Sequence, residues 1–166
     1  MRAREAPARI AIGSDDVGRE LKETIAAHLH GLPVRCLDLS PAGERDLDVP
    51  EVAQLVAESI RRGEADRGVL VCGTGVGMAI AANKVPGIRA AQCHDVYTAE
   101  HARNSNDVQV IVFGSRVIGS ELAKRVLEAW LAAEFEPNQQ RRRRMAKLEA
   151  LERSYLAPTP RSRPRR

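Results

Sequence analysis

The chain has 166 residues, 43% of them hydrophobic and 29% charged, the make-up of one globular domain with a sizeable core. No apolar run approaches the roughly 18 residues of a membrane span, and the opening MRAREAPARIAIGSDD lacks the apolar stretch of a secretory leader, so a cytoplasmic protein without a membrane partner is expected. The net charge of +4 is unevenly placed: residues 137–166 hold ten Lys/Arg against two Asp/Glu, which leaves the preceding body acidic by four, and with aromatics at only 3% that body does not read as a nucleic-acid-binding surface.

In chain order, RIAIGSDD (9–16) is a short apolar strand running into Gly-Ser-Asp-Asp. GRELKETIAAHLHG (18–31) spaces Leu21, Ile25 and Leu29 as one helical face and closes on glycine. VRCLDLS (34–40) reads as a strand. VPEVAQLVAESIRRGE (49–64) is a helix with Pro50 in its first turn and Val52, Leu55, Val56 and Ile60 on one side. RGVLVCG (67–73) has no polar alternation, the mark of a strand buried on both faces. GMAIAANK (77–84) is a short helix of small residues, GIRAAQC (87–93) a strand, VYTAEHARNS (96–105) a helix and DVQVIVFGSR (107–116) a strand. GSELAKRVLEAWLAAEF (119–135) is a strong amphipathic helix. Beyond it, Met145, Leu148, Leu151 and Tyr155 form an apolar stripe on a last helix, and LAPTPRSRPRR at the end is expected to be disordered.

Strands and helices alternate five times, which predicts an α/β fold: a doubly wound, Rossmann-like, five-stranded parallel sheet flanked by helices, with a C-terminal helical tail. The expected organisation is an α/β domain over 1–136, a helix over 137–156 and a basic tail over 157–166. In such folds ligands bind at the carboxyl ends of the strands. Those ends are Asp15-Asp16, Ser40, Cys72-Gly73, Cys93-His94-Asp95 and Gly114-Ser115-Arg116.

The most distinctive stretch is GVLVCGTGVGMAIAANK (68–84), in which a buried strand ends in a cysteine and turns through three glycines in five residues. Backbone N–H groups of such a loop, leading into a helix, can cradle an anion. The spacing is neither that of a P-loop, which needs a following lysine, nor that of the G-x-G-x-x-G dinucleotide fingerprint, since Met78 stands at the third glycine. A thiol phosphatase would need an arginine where Met78 stands. A tight turn that needs glycine for backbone reasons alone remains the alternative. Cys36, Cys72 and Cys93 form an odd set without C-x-x-C spacing, and the four histidines do not join them at ligand spacing, so neither a disulfide framework nor a metal site is expected. Cys36 and Cys93 are expected in the core, as is Trp130, while His28, His30 and His101 are expected to be solvated. Cys72 differs from the other cysteines because it borders the glycine loop. There a thiolate beside an oxyanion cradle suits proton abstraction next to a carbonyl.

IAIGSDDVGRELKETIAAHL, VLVCGTGVGMAIAANKVPGIRAA, HDVYTAEHARNSND and FGSRVIGSELAKRVLEAWLAAEFE together resemble the ribose-5-phosphate isomerase type B family, which includes the galactose-6-phosphate isomerase subunits. The resemblance runs from about Arg9 to about Glu152. It implies an aldose–ketose isomerase in which the residue at Cys72 moves a proton between carbons 1 and 2 of a sugar phosphate. Gly73, Gly75, Val76 and Gly77 would then hold the enediolate, and the Thr74 hydroxyl would assist transfer between oxygens. Asp15 and Asn106 would contact the sugar, with Asp16, His94 and Ser105 as further candidate contacts. The phosphate would be gripped by arginines of the tail, Arg141 or Arg144, together with Arg116. The family implies a homodimer, or a dimer of dimers, with sites built from both chains, and no metal or organic cofactor.

Two departures carry chemical weight. Pentose-phosphate members have Asp-His where this chain has Asp15-Asp16, and a histidine where it has Ser105. The second histidine opens the furanose ring. A tetrose 4-phosphate has its carbon-4 oxygen esterified and forms no furanose, so it needs no such acid. The resemblance is therefore to the branch that interconverts D-erythrulose 4-phosphate and D-erythrose 4-phosphate, with ribose 5-phosphate as the alternative if His94 takes over as acid. Two smaller departures are Val49-Pro50 in place of Tyr-Pro, and Pro137-Asn138-Gln139-Gln140 before the arginine run. Two other readings are a sugar-phosphate-binding module without turnover, and a nucleic-acid partner recruited by PRSRPRR.

Overall fold

The computed structural model describes residues 8–40 and 47–156. The expectation of a disordered 157–166 falls outside them. β1 (Arg9–Ser14), α1 (Arg19–His30), β2 (Arg35–Asp38), α2 (Val49–Arg61), β3 (Arg67–Cys72), α3 (Val76–Ala82), β4 (Ala90–Gln92), α4 (Val96–Asn106), β5 (Val110–Gly114), α5 (Ser120–Ala132) and α6 (Gln139–Leu156) follow in that order. The five strands form one parallel sheet in the order β2-β1-β3-β5-β4. The fold class read from the alternation of elements is the one observed.

The sheet separates two cores. One holds Ile10, Ile12, Val69, Val71, Ile111 and Phe113 against α1, α4 and α5, with Trp130 at its centre. The other packs Ala11, Leu70, Cys72, Val110 and Val112 against α2 and α3. Adjacent strand residues thus alternate between cores, which is why β3 carries no polar position after Arg67. Crossovers that step in one direction across the sheet place their helices on one face, and those that step back place theirs on the other, as right-handed connections require.

Local chemistry sets the helix limits. Asp48 caps α2, accepting from Val49 N at 2.7 Å, while Glu51 Oε2 accepts from Asp48 N at 2.9 Å, a reciprocal capping box with Pro50 in the first turn. The last carbonyls of α5 are met by Arg67, which donates to Trp130 O at 3.1 Å, Leu131 O at 2.9 Å and Ala133 O at 3.3 Å and lies over the Trp130 ring. Burial lowers the Arg67 pKa to about 10.

At the far edge of the sheet, Asn83 closes on β4. Its Nδ2 donates to Ala90 O at 2.8 Å and its Oδ1 accepts from Ala90 N at 3.0 Å.

Two expectations are corrected. His28 is not solvated: it is half-buried, with Nε2 2.7 Å from Glu128 Oε1 between α1 and α5. Cys36 is half-buried on edge strand β2, whereas Cys93 and Trp130 lie in the core.

The chain divides into two compact units, Met1–Phe135 and Glu136–Arg166. In the second, α6 has no buried residue; Leu148, Leu151 and Tyr155 of the apolar stripe are all exposed. Arg141 pairs with Glu136 at 2.8 Å, and its N–H is capped by Asn138 Oδ1, also at 2.8 Å. No helix is long and apolar enough to cross a membrane among the described residues.

Candidate active site

Strand register brings the candidate residues together. Ser14 pairs with Val71 and Cys72 with Gly114, so Asp15 comes level with Cys72 on the adjacent strand, about 5 Å away along the hydrogen-bonding direction. Asp15, Cys72 and Gly114 thus form a row across the carboxyl ends of β1, β3 and β5, where the topology reverses between β1 and β3.

Cys72 is 4% exposed and faces the core beneath α2 and α3. Its Sγ accepts the Gly75 N–H at 3.1 Å. The bond sets a loop amide directly against the sulfur. The other cysteines lack this arrangement. Burial pushes Cys93 up to about 11, aided by Asp95, and burial also raises Cys36, so both stay thiols.

The glycines have backbone reasons of their own. Gly75 sits at φ 86°, ψ −19°, and a Cβ there would come within 3.2 Å of the Phe113 carbonyl carbon. Gly114 is closer still: a Cβ would stand 2.4 Å from Thr74 O. The loop therefore lies pressed across the end of β5. It is held there by Gln92 Nε2, which donates to Thr74 O at 2.6 Å, and by the amides of Ser115 and Arg116, which donate to Cys72 O at 2.8 Å and Gly73 O at 3.0 Å. The Thr74 side chain is exposed; its Oγ1 accepts weakly from Val76 N at 3.4 Å, which leaves its proton free to donate.

Asp15 Oδ1 accepts from Gly18 N at 2.8 Å at the start of α1. Asp16 forms an ion pair with Arg19 and is exposed. Arg116 is exposed beside the loop; a Cβ on Gly73 would lie 3.8 Å from its Nε. A cleft of about 400 Å³ runs from Arg116 and Val17 to Ser120 at the start of α5, without reaching Cys72.

His94 occupies the end of β4 with its Nε2 accepting the Gly114 N–H at 2.9 Å. That bond needs an unprotonated Nε2. Burial lowers the His94 pKa below its ordinary value, against the opposing pull of Asp95, so the ring is neutral and turned to a structural task.

Ser105 and Asn106 are not with the others. They end α4, which runs back along the sheet to the amino end of β5. Four rises within β5 alone put roughly 13 Å between that end and Gly114. Ser105 is buried and Asn106 exposed. Their backbone is fixed by Asp107, a non-glycine residue at φ 48°, whose carboxylate pairs with Arg89 and Arg103; Arg89 Nε also donates to Asn106 O at 3.1 Å. Arg144 lies exposed on α6, in the second unit with Arg141. Among the described residues no three His, Cys, Asp or Glu side chains gather as a metal site.

Sequence reasoning missed Gln92, which holds the loop by its side chain, and Ser115, whose Oγ donates to Val17 O at 2.9 Å and ties the end of β5 to the turn after β1. Ser115 was legible as a strand-end residue; nothing in the sequence marks Gln92 off from an ordinary strand polar residue.

Residues 10–148 match the Ribose/Galactose Isomerase family. The chain is 54% identical over 129 residues to D-erythrulose-4-phosphate isomerase of Pectobacterium atrosepticum, covering 76% of this chain and 84% of that protein. It is 46% identical over 135 residues to ribose-5-phosphate isomerase B of Escherichia coli, covering 81% and 91%. The solved structure of ribose-5-phosphate isomerase B from Clostridium thermocellum superposes with a TM-score of 0.84 at 41% identity, covering 89% of this chain and 99% of that one.

Proposed function

This chain belongs to the ribose/galactose isomerase family and is a sugar-phosphate aldose–ketose isomerase, and from that premise we propose that it interconverts D-erythrulose 4-phosphate and D-erythrose 4-phosphate. The thiolate of Cys72 removes a proton from carbon 1 of the ketose, and the carbonyl electrons move to oxygen to give a cis-enediolate. The same group returns the proton to carbon 2, and Thr74 carries a proton between the two oxygens. Amides of the Gly73–Gly77 loop face the developing charge, Asp15 holds sugar hydroxyls, and Arg116 meets the phosphate.

One observation carries the choice of a tetrose. Neither candidate position offers an acid to open a sugar ring: Ser105 stands where the resemblance implies the ring-opening histidine, and His94 spends its Nε2 on the Gly114 amide. A four-carbon substrate, already open, needs neither. The 54% identity to the Pectobacterium enzyme supports the same reading.

The distance between Cys72 and Ser105-Asn106 within one protomer supports a site shared between two copies. In that arrangement Asn106, and helix 137–156 with Arg141 and Arg144, serve the partner's Cys72. Mixing Cys72→Ala with Asn106→Ala protein should then restore activity that neither has alone.

The test is isomerisation of D-erythrose 4-phosphate and D-ribose 5-phosphate side by side, both in the aldose direction. Loss of a general acid costs on the order of 10²–10⁴, so kcat/KM for the tetrose should exceed that for the pentose by at least about tenfold. Equal turnover would overturn the tetrose assignment and leave a pentose-phosphate isomerase. Cys72→Ala should abolish exchange of the carbon-bound proton with solvent; retained exchange would exclude the cysteine base.

A further inference from the structure

Lys22 is the one charged side chain in the buried set of described residues, 1% exposed. Its neighbours on α1, Leu21 and Ile25, belong to the core. Its Nζ donates to Asp38 Oδ2 at 2.7 Å and to Ser40 O at 2.9 Å. Taking an ammonium out of water is costly, and a single carboxylate partner offsets that cost poorly; an apolar side chain of the same length would serve packing as well. The position calls for an explanation other than packing.

The bonds around it supply one. The backbone ladder between β1 and β2 stops at Leu39 N to Ile12 O, 2.9 Å. The next amide of β1, Ser14 N, is met instead by a side chain, Ser40 Oγ at 2.8 Å. Ser40 is fixed in turn through its carbonyl by Lys22 and through its N–H by Asp38 Oδ1 at 3.0 Å. On the other side, Asp15 Oδ1 accepts from Gly18 N, and Gly18 O accepts from Lys22 N at 2.9 Å. A closed circuit therefore runs from Lys22 through Ser40, Ser14, Asp15 and Gly18 back to Lys22. It ties three elements to the backbone on either side of one carboxylate that lies beyond the last rung of the sheet. Among the described residues that carboxylate uses only Oδ1, which leaves Oδ2 for a ligand.

We propose that Lys22 is a positioning residue, which sets the location of Asp15 by anchoring Ser40 and so tunes the grip on the hydroxyls of the sugar. This rests on the assignment of Asp15 to the sugar made above. Lys22→Met keeps the length and removes the charge. In the full chain its KM for D-erythrose 4-phosphate should rise on the order of tenfold, since displacements near 1 Å carry effects of that size or more. The inhibition constant of inorganic phosphate, which has no hydroxyl for Asp15 to hold, should stay within about twofold of wild type. The decisive comparison is the double variant: in an Asp15→Asn background, Lys22→Met should add nothing to KM.

A Lys22→Met effect of equal size in both backgrounds, or a parallel loss of phosphate affinity, would overturn the proposal. Should Lys22→Met not fold, Ser40→Ala keeps the buried pair and removes only the acceptor for Ser14 N. It should raise the sugar KM in the same direction, and an unchanged KM would refute the circuit. Wild-type protein inactive on every sugar phosphate would instead overturn the functional reading. Hydrogen exchange at the Ser14 amide still decides the positioning claim in that event: faster exchange in Lys22→Met supports it and unchanged exchange overturns it.

Discussion

Gly114→Ala tests how the active-site loop is held. The added Cβ would sit 2.4 Å from the Thr74 carbonyl oxygen, 2.6 Å from its carbon and 2.9 Å from its Cα, all backbone atoms that cannot rotate away. Restoring ordinary contact requires the loop to withdraw by roughly 1 Å. The withdrawal stretches the 2.6 Å bond from Gln92 to Thr74 O. Overpacking of this kind costs about 1–3 kcal/mol and the weakened bond about 1 kcal/mol more. For a chain of this size that lowers Tm by roughly 5–15 °C. The loop carries the amide directed at the Cys72 sulfur, so kcat/KM should fall about 100-fold, beyond any loss of folded protein. Gly63→Ala is the control. Gly63 lies at φ 69° and a Cβ added there would meet nothing within 4 Å, so the variant should lose about 1 kcal/mol of stability and no activity per folded molecule. Thermal unfolding and initial rates on both variants make the comparison. Gly114→Ala with kcat/KM within twofold of wild type would refute the claim that this contact sets the loop.

Arg67→Leu should lower stability by about 2–4 kcal/mol, read from urea midpoints, because three carbonyls at the end of α5 lose their donor together; Arg67→Lys should recover only part of it. The His94 pKa is lowered by burial from its ordinary 6.5, so the unfolded chain binds the proton more readily and stability should fall as pH drops through about 6.5. His94→Gln, which keeps an acceptor for Gly114 N, should remove that component from a pH series of unfolding midpoints. The Asp66 carboxyl is held below its ordinary 3.8 by hydrogen bonds from Arg9. Its contribution is present above that value and disappears as pH falls through the lower folded value, so the gap between wild type and Asp66→Asn should hold at neutral pH and narrow as pH falls below 3.8.

The fold was legible because period and punctuation agree along the chain: unbroken apolar runs for the central strands, helical spacing between them, and Pro50 in the first turn of α2. Element ends were less so. The expected strand from Gly87 begins only at Ala90, since Gly87 takes a left-handed turn at φ 82°. The expected strand from Asp107 begins at Val110, since Asp107 is itself left-handed and ends α4. The row of Asp15, Cys72 and Gly114 follows from strand ends, which sequence does reveal. The separation of Asn106 from Cys72 was implicit in chain order, because a residue closing a helix before a parallel strand lies at that strand's amino end. Lys22 was invisible: a lysine within an amphipathic helix ordinarily snorkels to water, and only the fold shows which carboxylate and carbonyl enclose it.

Asn83 closes more than a turn. A parallel sheet of this kind ends in two open edges, and an open edge is a template on which foreign strands can polymerise. Here the outer strand on one side is three residues long, and the amide of Asn83 already satisfies both backbone groups of its first residue, as a neighbouring strand would. A side chain impersonating a strand leaves little for an incoming chain to extend. The β4 edge is thereby guarded against runaway addition.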